Sequence, residues 1–347
     1  MKNTQMSIIK GIGIILMVVG HALNLGMIRD IIYLFHMPLF FITTGYLFKD
    51  KYLYEPKLYV LNQLKKQYFT YIKWCIIFLL FHNIFMHIGI MNTSYGYNGA
   101  GYEWYSLFQI IKKIIRIILF MTDNEPFLAG FWFIRTLFIA SIVLCLIRFL
   151  ILHIIKYDGN KNIIITIIFL GIILSVFYFF CLKMIFIETK EILAMLFIAI
   201  GSLIKRKDIT QLNFLMYLSL FAIIYIIVGA TNMFANTFVK GIEIILTGTL
   251  GWILIFKIAK NRNNYIMRIL AYCGDNSLYI LIFHLLCFKI PTYIYLFITN
   301  TDMQKISMIP SLQINNVLLI TSYTIIGVFL PIAVKYICVK LHKRLTY

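Results

Sequence analysis

Residues 8–28 read IIKGIGIILMVVGHALNLGMI, a run in which only Lys10 and His21 carry ionisable side chains. A helix of about 20 apolar residues, rising 1.5 Å per residue, crosses the hydrocarbon core of a bilayer. Nine more runs of this kind follow, near residues 31–48, 68–90, 129–152, 163–183, 187–204, 212–230, 238–257, 269–290 and 314–338. The reading is an all-α fold, a polytopic membrane helix bundle of about ten transmembrane helices. Composition agrees, because 61% of the 347 residues are hydrophobic and 13% are charged, more apolar surface than one soluble core can hide. The first run is followed by no A-x-A cleavage site and is expected to be retained as the first helix.

The formal net charge of +19 does not point to nucleic acid. The basic residues stand in short clusters between apolar runs, the arrangement of loops that face anionic membrane lipid. Placing the N-terminus in the cytoplasm puts about 21 of the 32 basic residues on that side, including Lys65-Lys66, Lys205-Arg206-Lys207, the stretch Lys257 to Arg268 and the tail Lys335 to Arg344. Both termini are therefore expected to be cytoplasmic. Six cysteines (Cys75, Cys145, Cys181, Cys273, Cys287, Cys338) lie in or at the ends of apolar runs without metal-site spacing, so they read as fillers and no metal is expected. The longest external segment, about 91–128, opens with a turn-rich stretch from Asn92 to Gly101. It continues into a segment where Lys112, Lys113 and Arg116 share one helical face, the pattern of an interfacial helix. No internal repeat or soluble appendage interrupts the chain, which reads as a single membrane domain over 1–347.

Ionisable groups are costly in hydrocarbon and normally face a bundle interior or a wet cavity. Counted from the predicted outer ends, His21, His36, Arg135, Glu243 and His284 fall in one layer on five separate runs. The expectation is a polar chamber open to the outside. Each residue also has an ordinary reading: His284 bonded to a nearby carbonyl, Glu243 paired with Lys240, Arg135 snorkelling to the interface. Lys10 and His21 carry a more particular geometry. Eleven residues at 100° each make close to three turns, which places both side chains on one face, about 16 Å apart along the axis. A cation at the cytoplasmic mouth suits the phosphates of a nucleotide-like donor, and a neutral imidazole deep in the membrane can take a proton from an attacking hydroxyl.

The segment from Lys10 to Gly20-His21, followed by Phe35-His36-Met37-Pro38-Leu39-Phe40-Phe41 and Gly45-Tyr46-Leu47, resembles the opening of the membrane acyltransferase-3 family. Trp132-Phe133-Ile134-Arg135 is similar to a Trp-Phe motif of members that resemble sugar O-acetylases, and Gly274-Asp275-Asn276-Ser277 with His284 is similar to a late helix of the family. The resemblance implies transfer of an acyl group, usually acetyl, from cytoplasmic acyl-coenzyme A to a carbohydrate hydroxyl across a bacterial-type plasma membrane. It assigns His21 as catalytic base with His36 beside it, Lys10 as the donor-side cation, and Lys65, Lys66 and Lys73 to donor binding. Trp132, Arg135, Glu243, Asn276, Ser277 and His284 would line the acceptor chamber. Where the family more often has Arg, Lys10 replaces bidentate phosphate recognition by a single point charge.

Three other readings compete. A transporter or flippase for a lipid-linked saccharide also uses intramembrane polar residues, but it predicts paired repeats and broken helices, which the sequence lacks. A receptor or structural membrane protein leaves the Lys10 to His21 geometry without a purpose. A different acyltransferase architecture would use a single catalytic histidine on a late helix, His284, with a partner Asn or His well upstream.

Overall fold

The computed structural model describes residues 3–345 apart from 25, 98, 123, 157, 208–212 and 261–263, and the side chains of 338, 339 and 341–345 are likewise outside the description. Asn98 of the turn-rich stretch, Arg262, and the side chains of Cys338 and Arg344 thus lie outside the described residues. Fourteen α-helices follow one another: α1 Thr4–Ala22, α2 Met27–Tyr46, α3 Pro56–Gln63, α4 Phe69–His87, α5 Leu107–Phe120, α6 Trp132–Ile154, α7 Gly159–Phe179, α8 Thr189–Arg206, α9 Phe214–Val228, α10 Phe238–Ile258, α11 Tyr265–Asp275, α12 Ser277–Cys287, α13 Lys289–Ile298 and α14 Val317–Leu345. Among the described residues there is no strand, only an isolated bridge between Tyr97 and Ile309.

Among the described residues eight helical stretches are long and apolar enough to cross a membrane, and each matches one of the ten predicted runs. The other two runs are helices as well. One, α8, has 18 residues but carries Lys190, Glu191, Lys205 and Arg206 at its ends, and the other, α9, has 15 residues. The chain is a multi-pass helical membrane protein. The ninth run is displaced, because the helix breaks at Asp275-Asn276 and the span resumes over Ser277–Ile298.

Contacts divide the chain into two compact units, each assembled from several segments. The first comprises Met1–Gly13, Asp30–Thr70 and Phe133–Ala271. Within it the last turn of α2 lies against α8 in a close approach made by glycine on both sides. A Cβ at Gly45 would lie 1.8 Å from the Ile198 carbonyl oxygen, and one at Gly201 would lie 2.0 Å from the Ile42 carbonyl oxygen. Small residues at such crossings let backbones approach, which is the main source of helix attraction where the solvent is as apolar as leucine. Ser202 Oγ donates to the Gly45 carbonyl across the same contact at 3.1 Å. Pro38 sits inside α2, where its missing N–H frees a carbonyl one turn earlier, and its ring packs over Gly248 of α10.

One end of this unit is basic. Lys205 Nζ donates to the Phe48 carbonyl at 2.8 Å, Arg206 Nη2 pairs with Asp50 at 2.6 Å, and the buried Arg148 donates from Nε to Asn162 at 3.0 Å while lying 3.7 Å from Asp50. Gln5 near the start of α1 donates to the Phe256 carbonyl near the end of α10, which brings the chain's N-terminal helix to the same end.

The second unit comprises Ile14–Arg29, Tyr71–Trp132 and Tyr272–Tyr347. Here α12 packs against α14 and against the turn Pro126–Phe131, with Gly130 beneath the Leu281 side chain. The segment between α4 and α6 holds the expected amphipathic helix as α5, begun by a Ser106–Gln109 capping box and ended by Met121 in the left-handed region. Most of α5 is exposed, with Ile117 its one buried residue, as befits a helix lying against lipid.

The glycine crossing makes a sharp prediction. Gly45→Val forces the α2 and α8 backbones apart and lowers the melting temperature in detergent, by the equivalent of about 1–3 kcal/mol or more. Gly171→Ala, at a helical glycine with open space around it, leaves stability within about 1 kcal/mol of the parent. Equal melting temperatures for the two variants would refute the crossing.

Candidate active site

His21 occupies the last turn of α1, one residue before its end at Ala22. The sequence places it well inside a run ending near 28, but the chain leaves the helix at Leu23-Asn24 and reaches Gly26, whose φ of 155° is open chiefly to glycine. The neighbour of His21 is His284 of α12, with ring centroids 5.4 Å apart and planes tilted by 33°. His21 is half-buried and His284 fully buried.

The surroundings fix the state of His284. Its Nδ1 lies 3.0 Å from the carbonyl oxygens of both Ile280 and Leu281, and since a carbonyl only accepts, Nδ1 carries the proton. A neutral ring then has its lone pair on Nε2, which is buried and makes no hydrogen bond among the described residues. Phe288 meets His284 edge-on at 5.8 Å and packs in turn on Tyr323, whose hydroxyl is 2.7 Å from Thr292 Oγ1. Gly327 of α14 completes the packing: a Cβ there would come within 2.6 Å of the Phe288 ring and 3.1 Å of Val18 on α1. Three helices of one unit thus hold an imidazole pair, with a backbone-locked ring facing a more accessible one. Such a pair offers one more accessible ring that can accept a proton and a second ring packed against it.

The other predicted residues divide among different surroundings. His36, buried in the first unit, donates from Nδ1 to the Ile32 carbonyl at 2.8 Å and packs on Tyr33. Lys10 is half-buried on α1, the same continuous helix that carries His21. Lys65 and Lys66 are exposed on a π-helical turn, Leu64–Tyr68, a local widening that recurs at functional sites. Lys73 is exposed and lies over the Trp74 ring, 5.4 Å from its centroid. Trp132 directly follows the turn that packs on α12. Asn276 accepts from Lys335 Nζ at 2.7 Å and donates to the Tyr272 carbonyl at 2.8 Å, so it ties the last helix to the α11–α12 break, and Ser277 begins α12 beside it. His284 lies seven residues into the span Ser277–Ile298 rather than near its far end. An imidazole on a terminal turn therefore meets one in mid-span, because helix ends stand at unequal depths and counting from them gives no common ruler.

Arg135 does not snorkel. Its Nη1 bonds Glu191 Oε1 at 3.1 Å and its Nη2 the Ile185 carbonyl at 3.2 Å, while Thr136 Oγ1 donates to the same glutamate oxygen at 2.8 Å. Glu191 Oε2 accepts the Glu188 N–H at 3.0 Å, closing the capping box of α8. Outside the spans, the hydrogen bond from Lys190 holds the Glu188 carboxyl below the usual carboxylate range. Glu243 is buried and neither of its oxygens has a hydrogen-bond partner among the described residues, so its pairing with Lys240 is not made.

Sequence reasoning missed Glu191, Arg148 and His82. His82 is buried, with Nδ1 2.6 Å from Glu125 Oε2 and Nε2 2.9 Å from the Glu103 carbonyl, and it stacks on Tyr105 at 3.7 Å. An ionisable residue inside a predicted span was the available signal for Arg148 and His82. Glu191 stands at the start of a run, where a charged residue is ordinary and carries no signal by itself.

A family model described as an acyltransferase domain, that of the acyltransferase-3 family, matches residues 3–336. No curated protein and no solved structure matches the chain.

The Arg135–Glu191 pair yields a test of whether Arg135 is structural. Arg135→Met strips a buried carboxylate of its hydrogen-bonded cation, leaving only Lys190 at 4.0 Å, and costs about 3 kcal/mol, read as loss of monodisperse protein in detergent. Adding Glu191→Gln, which removes the charge and keeps hydrogen-bonding capacity toward Thr136 and the Glu188 N–H, restores most of the yield. A double variant as poor as the single one would contradict this account.

Proposed function

Because the chain belongs to the acyltransferase-3 family and is an acyltransferase, we propose that it moves an acyl group, acetyl in the first instance, from cytoplasmic acyl-coenzyme A to a hydroxyl of a cell-surface or lipid-linked glycan at a bacterial plasma membrane. The observation that carries this reading is the imidazole pair, His21 against His284. In the proposed step the acceptor oxygen attacks the thioester carbonyl, its proton passes to His21, and the coenzyme leaves as a thiolate that takes up that proton. The products are the ester and the free thiol. His284, locked by two carbonyls with its lone pair free of hydrogen bonds, steadies the ring of His21 and shares the imidazolium charge.

The donor side rests on α1. Lys10 lies three turns before His21 on one helix, a spacing that suits a coenzyme whose phosphates stay at the cytoplasmic mouth while its pantetheine arm reaches inward. A point charge there attracts phosphate without imposing bidentate geometry. Lys65 and Lys66, exposed on their π-helical turn, are available to the same polyanion. Acyl transfer supplies the purpose that an intramembrane histidine pair would otherwise lack.

His21→Ala is expected to lower kcat by about 10²–10⁴-fold while the protein remains inserted. His284→Ala, which removes a supporting ring, is expected to lower kcat by a smaller factor, with KM for the acyl donor unchanged. The measurements are transfer of radiolabelled acetyl from acetyl-coenzyme A in inverted membrane vesicles and mass analysis of surface and lipid-linked glycans from cells with and without the chain. Undiminished transfer by His21→Ala would remove the assignment.

A further inference from the structure

The first unit contains a pocket of about 300 Å³ away from its basic end, between the C-terminal end of α7, the start of α8 and the loop before α10. The volume is at the lower limit for small-molecule sites. Its shape is held from both sides. The Tyr178 hydroxyl donates to the Ala235 carbonyl at 3.1 Å, and a Cβ at Gly241 would come within 2.7 Å of the Tyr178 ring, so α7 is pinned to the loop across the pocket. Below, Glu188 is anchored through its N–H to Glu191, which the Arg135 guanidinium holds.

The lining is mixed in a particular way. Phe234, largely exposed, presents an aromatic face at the rim, with Lys190 Nζ 5.9 Å from its ring centroid. Lys190 is already neutralised by Glu188, at 2.5 Å. The ammonium of Lys183 and the side-chain amide of Asn236, both exposed, make no hydrogen bond or ion pair among the described residues. The pocket therefore offers a flat apolar platform, a fixed carboxylate, an amide with both donor and acceptor, and one cation in excess.

We propose that this pocket binds a saccharide ring that bears a carboxylate. The apolar C–H face of a pyranose covers Phe234, its hydroxyls bond Asn236 and Glu188, and its carboxylate meets Lys183. An aliphatic chain would leave these polar groups unmatched, and a neutral sugar would leave two lysines, Lys183 and Lys190, sharing the single carboxylate of Glu188. The proposal deepens the reading of a glycan acceptor and rests on it for the choice of a sugar; it names the acidic class.

Binding is measured without acyl transfer, so that its outcome is separate from the His21 result. Saturation-transfer NMR on the full chain in detergent uses methyl β-glucuronide, methyl β-glucoside and glycerol 1-phosphate as probes. The glucuronide is expected to give a signal at least about fivefold stronger than the other two. Phe234→Ala and Lys183→Gln, changes at exposed positions, each bring it to the level of the glucoside, whereas Lys112→Gln, an exposed control on α5 in the other unit, leaves it unchanged. Equal signals from the glucuronide and the glucoside, or an unaltered signal in both pocket variants, would overturn the assignment. A stronger signal from glycerol 1-phosphate would mark a phosphate site and overturn it too.

Discussion

Inside hydrocarbon a polar group without a partner costs several kcal/mol, and no water is at hand to lower that penalty. Each unit of this chain answers the constraint with networks rather than single bonds. Glu191 gathers an arginine, a threonine and a backbone N–H around one carboxylate, and His82 places an acceptor at each ring nitrogen. Lys289, buried in the second unit, spends two N–H groups on the carbonyls of Ile306 and Met308, both at 2.7 Å. Such networks also fix neighbouring segments, since the loops that supply the partners cannot move without breaking them.

Against that background the exceptions carry information. The Nε2 atom of His284 is left over in a setting where the other ring nitrogen is doubly engaged. Unpaired buried polar atoms are uncommon in folded proteins, and this one belongs to a ring that stands beside a second imidazole. Glu243, with both oxygens in that state, is an exception in the first unit, and Ser141 Oγ, Thr231 Oγ1 and the Tyr102 hydroxyl are others among the described residues. The structure gives Glu243 no counterpart comparable to the ring that faces His284.

The proposed chemistry and the saccharide pocket make different demands on the fold. Proton transfer needs two rings held in a fixed relation, and close helix packing provides it, with Gly327 admitting Phe288 so that the aromatic edge braces His284. Recognition of a polar, hydrated ligand needs donors that are not already consumed. Loops at helix ends supply those, because their side chains are free of the packing that fixes a span.

The sequence by itself determined that the chain is helical and crosses the membrane many times, since runs of about 20 apolar residues have no other stable state in water or lipid. It also determined the family, through the order of residues around Lys10, His21 and His36, and singled out His21 and His284 as unusual. What it left open follows from side-chain direction and helix ends. Run lengths did not show that α1 stops at Ala22 or that a span restarts at Ser277, because turn residues inside an apolar run shift boundaries without changing hydropathy. Nor did they show that Arg135 turns to Glu191, or that the two histidines, read first as rivals, stand ring to ring. Those are contacts between residues far apart in the chain, and only the packing of helices against one another decides them.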